Sequence, residues 1–351
     1  MIRSMSCRQA IWCTSATSSD VLAGRVGYDV YSASLMWDWQ IIPSLSLTNA
    51  VRYDHFVLNQ RGYLVPDVGF GASSYAGRTI DEPSFNSGLV WKLDDEDTFR
   101  LLAARGLQLP SIYDLGLQDR QAPGPDGQGY LFLGQPNVQA SAVSNVEVDW
   151  DRALPILQSK VRTAVFAQRT DNVLTNPYET PTIGDGVILD GAEEQRAVAS
   201  NVGHSSAVGG EIGQRGHLLS SFRWNVSYSY ISISDHLSVN QTGIYSPQDF
   251  QHSTPTHVVV LGGSYAHGRF ELDLESRWQS TFLDYRADPA EITLQPVEVD
   301  SYLVLDARLG YRLTKNILVS ISSQQINASQ QIVSGGSPVE RRVFLTLSAH
   351  L

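Results

Sequence analysis

Apolar and polar residues alternate one by one along this chain over stretches of ten residues or more, and few folds accommodate that pattern. In Arg269-Phe270-Glu271-Leu272-Asp273-Leu274-Glu275-Ser276-Arg277-Trp278-Gln279 one face carries Phe270, Leu272, Leu274 and Trp278, and the other carries Glu271, Asp273, Glu275, Arg277 and Gln279. A period of two means a strand with two unlike faces. Residues 302–312 repeat it, with Leu303, Leu305, Ala307, Leu309 and Tyr311 against Asp306, Arg308 and Arg312. Residues 222–230 do so again, Phe222, Trp224, Val226, Tyr228 and Tyr230 opposing Arg223, Asn225, Ser227 and Ser229. Weaker copies occupy 29–41, 44–57, 81–93, 97–107, 143–152, 159–171, 204–215, 255–266, 316–327 and 339–351, about 13 strands in all, and an extra one near 194–201 makes 14. Strands this long exceed the globular norm and suit a tilted strand that crosses a bilayer.

The connections alternate in length. Short turns fall near residues 42–43, 94–97, 155–158, 215–219, 266–268 and 314–315, and long polar loops near 58–80, 108–142, 172–193, 235–254, 281–299 and 328–338. A soluble sandwich or propeller has no reason to gather every long connection at one end. A barrel in an outer membrane does, with tight periplasmic turns and long extracellular loops, and only a sheet whose backbone groups are all paired survives in hydrocarbon. Trp37, Trp39, Tyr53, Trp91, Trp150, Tyr230, Trp278, Tyr302 and Tyr311 lie toward strand ends, as an interfacial girdle requires, against the competing reading of a sandwich core. The expected fold is all-β: an antiparallel transmembrane β-barrel, partial, with about 13–14 strands.

Composition closes off other classes. Hydrophobic residues are 42% of the 351, yet no run reaches the eighteen or so that a membrane helix needs. A net charge of −11 argues against nucleic acid and fits either a lumen lined by carboxylates or a solvated acidic surface. Two cysteines, Cys7 and Cys13, offer too few ligands for a metal site, and they stand in a segment without periodicity where a disulfide competes with disorder. Residues 1–24 therefore read as an irregular or disordered start without a clear signal peptide, and 25–351 as the barrel segment. The expectation is that an N-terminal part of the natural chain is missing.

Six segments in order carry a resemblance. Residues 98–111, including Ala104-Arg105-Gly106 and Pro110-Ser111, form a strand that runs into a Pro-Ser loop. Gly134-Gln135-Pro136-Asn137 leads to Ser144-Asn145-Val146-Glu147-Val148, and the strand with Phe166 ends at Asp171-Asn172-Val173-Leu174. Asn201-Val202-Gly203-His204 precedes Gly209-Gly210-Glu211, followed by Thr254-Pro255-Thr256-His257 and by Tyr302-Leu303-Val304-Leu305-Asp306, Asn327 and Arg341-Arg342-Val343-Phe344-Leu345. Together they resemble the TonB-dependent receptors of the bacterial outer membrane, over about 250 residues.

That resemblance implies a transport barrel and not an enzyme: uptake of a scarce ligand such as a ferric siderophore, haem, cobalamin or an oligosaccharide, with iron chelates favoured as the commonest class. It implies no cofactor. Its partners are outer-membrane lipid, a plug domain and, through the plug, TonB. The family's signal peptide, coupling box and plug are not found here, its barrel has about 22 strands, and a closing aromatic is replaced by Leu351; the chain therefore reads as a truncated product. Arg105, Gly106, Pro110, Asn201, Gly203, Glu211, Pro255 and Arg342 are family-motif positions expected to serve the barrel, with the glycines, Gly209 among them, allowing unusual backbone or close strand approach. Glu147, Glu211, Glu271, Asp273 and Arg277 are expected to face the lumen. Loop residues Tyr130, Phe132, Tyr178, Tyr245, Phe250, His252 and Tyr285 are candidate ligand contacts, since a ring offers flat apolar surface with a polar handle. A passive porin-like outer-membrane channel is the alternative. Enzyme readings lack a nucleophile elbow, a zinc motif and a blade repeat.

Overall fold

A computed structural model of the chain describes residues 3–13, 24–61, 70–121, 129–175, 187–189, 192–238, 248–288 and 293–349. Fourteen strands form one sheet in chain order, each antiparallel to the next. They are β1 (Arg3–Cys13), β2 (Gly24–Ile42), β3 (Leu45–Arg61), β4 (Thr79–Lys92), β5 (Asp97–Gln108), β6 (Ser141–Leu154) and β7 (Ser159–Asp171), then β8 (Gly203–Leu218), β9 (Phe222–Leu237), β10 (His257–His267), β11 (Phe270–Gln279), β12 (Tyr302–Arg312), β13 (Ile317–Gln324) and β14 (Arg342–Ala349). Among the described residues β1 and β14 do not pair with each other, so the strands described form an open sheet.

The hairpins alternate as the sequence suggests. Residues 43–44, 93–96, 155–158, 219–221, 268–269 and 313–316 turn tightly at one end, and the connections 62–78, 109–140, 172–202, 238–256, 280–301 and 325–341 gather at the other. The tight turns are built from local bonds. Asp94 accepts the amides of Glu96 and Asp97 at 2.8 and 2.7 Å, and Thr314 Oγ1 accepts those of Asn316 and Ile317 at 3.2 and 3.0 Å.

Register makes the two faces unlike across the whole width. Leu89 pairs with Leu101, Val148 with Val165, Leu274 with Ala307 and Ile321 with Leu345, so apolar positions fall in continuous outer rows. Leu101, Val148, Val165, Ile212, Leu274, Leu309, Leu345 and Leu347 stand exposed there, a surface that only lipid covers at little cost. Toward the tight turns the outer face carries rings: Trp91, Phe99 and Trp150 stack across three strands with centroids 5.9 and 6.4 Å apart, and Trp150 Nε1 donates to Asp97 at 2.7 Å. Phe270 and Tyr311 meet at 5.0 Å at the same level. This is an interfacial belt.

Four expectations are corrected. Residues 3–13 are not irregular: β1 pairs with β2 from Arg3↔Ser34 to Cys13↔Gly24, because main-chain pairing to a long neighbour needs no side-chain alternation. Six residues apart on one extended strand, roughly 20 Å, Cys7 and Cys13 lie beyond disulfide reach of each other. The extra strand near 194–201 exists as Ala192–Val198 and Ser200–Asn201, but in small loop sheets and not in the wall. Tyr302 belongs to the inner face and not the girdle, its hydroxyl reaching the Val333 carbonyl at 3.4 Å. The long connections themselves carry structure, including a four-stranded loop sheet and the hairpin Phe282–Asp288/Thr293–Val299.

A lipid-facing outer row predicts a strong asymmetry of substitution. Leu274→Arg is expected to cost ~2–4 kcal/mol of stability in a bilayer, and Glu275→Gln, one residue away on the inner face, under about 0.5 kcal/mol. Denaturant titration of the folded chain in lipid vesicles reads both, and equal costs would contradict the assignment of faces.

Candidate functional site

The inner wall is polar and cross-linked by charge. Asp151 of β6 accepts from Arg100 of β5 at 2.8 Å and Lys160 of β7 at 3.1 Å, and Asp149 from Arg162 at 3.2 Å. Further round, Arg308 of β12 bonds Asp273 and Glu271 of β11 at 2.7 and 3.1 Å, and Arg312 takes Glu271 at 2.7 Å. Arg52 holds Asp54 of the same strand at 2.8 Å, with Ser32 of β2 on the same carboxylate. Such rows are stable only where water or a protein partner faces them, since charge in hydrocarbon is costly. Glu147, Glu211, Glu271, Asp273 and Arg277 all lie on this face by register.

Near the loop end the same inner face turns apolar and is covered from within. Val26 and Val30 of β2, Phe56 and Leu58 of β3 and Ile80 of β4 pack in one cluster with Tyr75, Leu115, Val138, Ala140 and Ala199 of the long connections. The connections thus fold into the lumen. Helix α1 (Ile112–Gly116) is started by a capping box, the Ser111 hydroxyl accepting the Asp114 amide at 3.2 Å while Asp114 accepts the Ser111 amide at 2.7 Å. Tyr75 donates its hydroxyl to the Leu115 carbonyl at 3.1 Å. Gly116 lies so close to Val26 that a Cβ would stand 2.7 Å from the valine Cβ.

The family-motif positions serve this architecture. Arg105 bonds Glu82 at 3.1 Å and the Pro83 carbonyl, bracing the point where β5 leaves β4. Pro110 is buried just ahead of the α1 cap. Asn201 ties two connections, accepting the Gln139 amide at 2.7 Å and donating to the carbonyls of Gln139 and Asn172 at 3.0 and 2.9 Å. Gly203 sits at φ +135° where a Cβ would be 2.1 Å from the His236 carbonyl oxygen, and Gly209 lies under the Phe166 ring. Gly106 is a correction: its backbone is ordinary and nothing lies within 4 Å of a Cβ there, so crowding does not call for glycine. Glu211 lines an inner hollow, Pro255 precedes β10, and Arg342 opens the edge strand β14.

Three candidate contacts come together. In α2 (Phe250–Ser253), Asp249 caps the helix by accepting the His252 amide at 2.9 Å, and its other oxygen takes the Tyr285 hydroxyl at 2.8 Å from the neighbouring hairpin. Asp235 accepts the Phe250 and Gln251 amides at 2.8 and 2.9 Å. Asp284 in turn accepts the Gly335 amide at 2.7 Å, so three connections are latched side by side. Phe132 is a correction: it is 1% exposed inside a cluster with Leu117 and Ala197 and cannot meet a ligand, because the connection that carries it folds as a sheet with its own core. Tyr130 lies on the strand Gly129–Leu133 of that sheet. Tyr178 and Tyr245 lie outside the described residues. Sequence reasoning missed Asp249, Asp235 and the exposed Tyr113 of α1; only the aspartate before Phe250-Gln251-His252 hinted at a cap. Among the described residues no group of three His, Cys, Asp or Glu is arranged to hold a metal.

Burial, then the bond to Asp249, pushes the Tyr285 phenol up to about 12. Burial alone would raise Asp249, but the His252 amide, the Tyr285 hydroxyl and the His252 ring outweigh it and hold the carboxyl below its usual range. The tyrosine contribution is full below a pH of about 10 and lost as pH rises through the folded value; the aspartate contribution is present above about 3.9 and lost as pH falls through its depressed value. The latch is therefore expected to hold unchanged across neutral pH, and Tyr285→Phe to speed amide exchange of residues 282–288 several-fold, measured by hydrogen-exchange mass spectrometry. Gly203→Ala is expected to destabilise the head of β8 by about 1–3 kcal/mol, read as a lowered denaturation midpoint.

The model of the family "TonB dependent receptor-like, beta-barrel" matches residues 13–328. Among solved structures, the ferric-catecholate import receptor Fiu of E. coli is similar over 100% of this chain and 51% of its own, at 15% identity and a TM-score of 0.65. The FrpB iron transporter of Neisseria meningitidis is similar over 93% and 46%, at 14% identity and 0.63, and the copper transporter OprC over 94% and 48%, at 14% and 0.62. No curated protein sequence matches. The chain spans about half the length of these structures. An apolar outer face, a charged inner face and long connections gathered at one end agree with that match, and the chain belongs to the TonB-dependent receptor-like β-barrel family.

Proposed function

We propose that this chain is the barrel wall of an outer-membrane receptor for TonB-dependent uptake of a ferric siderophore. The observation that carries the reading is the pairing of a lipid-type outer face with an ion-paired inner face, under connections that fold inward at one end only. In that arrangement the latched connections meet the ligand, with Phe250, His252 and Tyr285 as contacts, and the charged inner wall seats a plug domain through which TonB acts. Iron is favoured because the similar structures include receptors named for iron, ferric catecholate and siderophores, with one named for copper. The passive-channel alternative requires a self-closing sheet, and β1 and β14 remain unpaired edges among the described residues.

Purified full chain in detergent micelles, titrated with a ferric tris-catecholate, haem, cobalamin and copper(II), tests the reading. Saturable binding of the ferric chelate is expected, weakened about fivefold by Tyr285→Ala or His252→Ala, close to 1 kcal/mol each. Binding of copper(II) alone would replace iron as cargo. A reproducible single-channel step in a planar bilayer, without chelate binding, would favour the passive channel.

A further inference from the structure

The outer face of β7, β8 and β9 carries a groove of about 460 Å³. Gly210 forms its floor, paired with Val165 on one side and Tyr230 on the other, and Val208, Ile212 and Tyr228 stand around it. Glycine keeps it open: a Cβ at this position would already lie 3.2 Å from the Ala164 carbonyl oxygen and 3.3 Å from Val165 Cγ1, and a longer side chain would occupy the hollow. One wall is fixed by rings. The Tyr228 hydroxyl and His257 Nδ1 of β10 share a hydrogen bond at 2.9 Å, and the Tyr230 and His257 rings lie 5.4 Å apart. Above the groove all three strands change character together. Val165 and Ala167 of β7 give way to Arg169 and Asp171, Gly210 and Val208 of β8 to Ser206 and His204, and Tyr230 of β9 to Ser232, Ser234 and His236. Register sets Arg169 beside Ser206 and Ser206 beside Ser234, and above them the His204 and His236 rings stack with centroids 4.9 Å apart. Arg169 gives its Nε to Asp171 at 2.7 Å and keeps its terminal amino groups. Charge in hydrocarbon is costly, so this switch from apolar to polar marks the level of the lipid headgroups on the side of the long connections.

We propose that the groove and the polar row above it form one site for a single membrane lipid with a phosphorylated headgroup. An acyl chain lies over Gly210 between Val165 and Tyr230, and a phosphate meets Arg169, the serine hydroxyls and the histidine pair. Continuity names the occupant, since the groove is part of the face that lipid covers. The row above selects among lipids: a guanidinium takes phosphate oxygens in pairs, and hydroxyl and imidazole groups add donors. Hollow and row also follow one another in the order in which a lipid carries its chain and its phosphate. A lipid that engages both is held at this place, whereas one that meets only the apolar rows exchanges with its neighbours. The inference rests on the outer face being the lipid face, and not on the ligand assigned to the loop end.

The test is native mass spectrometry of the full chain in detergent micelles, titrated with lipid A and, as control, with the same lipid stripped of its phosphates. Saturable retention of lipid A is expected, with the stripped lipid bound roughly tenfold more weakly. Arg169→Gln should weaken lipid A by a similar factor, and His204→Gln with His236→Gln should lower it further. Gly210→Leu, which fills the groove, should weaken both lipids by about fivefold, and Arg277→Gln on the inner face should change neither. Equal retention of the two lipids, or lipid A binding untouched by Arg169→Gln and Gly210→Leu, would overturn the site. Displacement of lipid A by inorganic phosphate, with Gly210→Leu silent, would overturn the lipid in favour of the free anion. Protease protection of the strands in lipid vesicles separates the two claims: a chain that inserts yet does not distinguish the lipids refutes the site alone, and a chain that fails to insert refutes the lipid face and the site with it.

Discussion

Every feature of this protein follows from the impossibility of leaving backbone N–H and C=O groups unpaired in hydrocarbon. A sheet satisfies them by neighbour pairing, and thirteen antiparallel contacts in chain order do so from β1 to β14. Once the backbone is committed in this way, side chains can point only toward lipid or away from it. The outer rows of Val148, Val165, Leu274 and Leu345 and the inner rows of Asp149, Arg162, Asp273 and Arg308 are two consequences of one pleat.

The inner face then has to manage its charge. It does so by alternating signs across strands, as where Arg100 and Lys160 flank Asp151, so that most carboxylates are neutralised within the wall. Asp149 is only 1% exposed and still has one carboxylate oxygen without a partner, as does Asp151. Buried acceptors left open are costly, and a donor from whatever fills the lumen would relieve them. Lower down the balance tips toward cations, with Lys160, Arg215, His217 and Arg223 close together.

The loop end obeys a different economy. Connections of up to 32 residues would be expensive to order individually, but here they share a core on the inner ends of β2, β3 and β4 and are latched by aspartates at backbone amides. Gly116 and Gly203 are needed because backbone approaches Val26 and His236 more closely than a Cβ allows. Phe132, which resembles a loop aromatic free for a ligand, is consumed by that packing.

The sequence by itself determined the strands, their two faces and the end at which the long connections lie, because a period of two and the spacing of Gly, Pro and Asp are local properties, legible in stretches such as Phe270 to Gln279. It also held the family, through short motifs in order. What only the tertiary structure decided is which residues of distant segments meet: that Tyr285 reaches Asp249, that Asn201 clamps Gln139 and Asn172, that residues 3–13 join the wall, and that Arg215 and Arg223 come close together. Those meetings depend on register and on the folding-in of connections, and both are set by pairing between segments far apart in the chain, which no local pattern records.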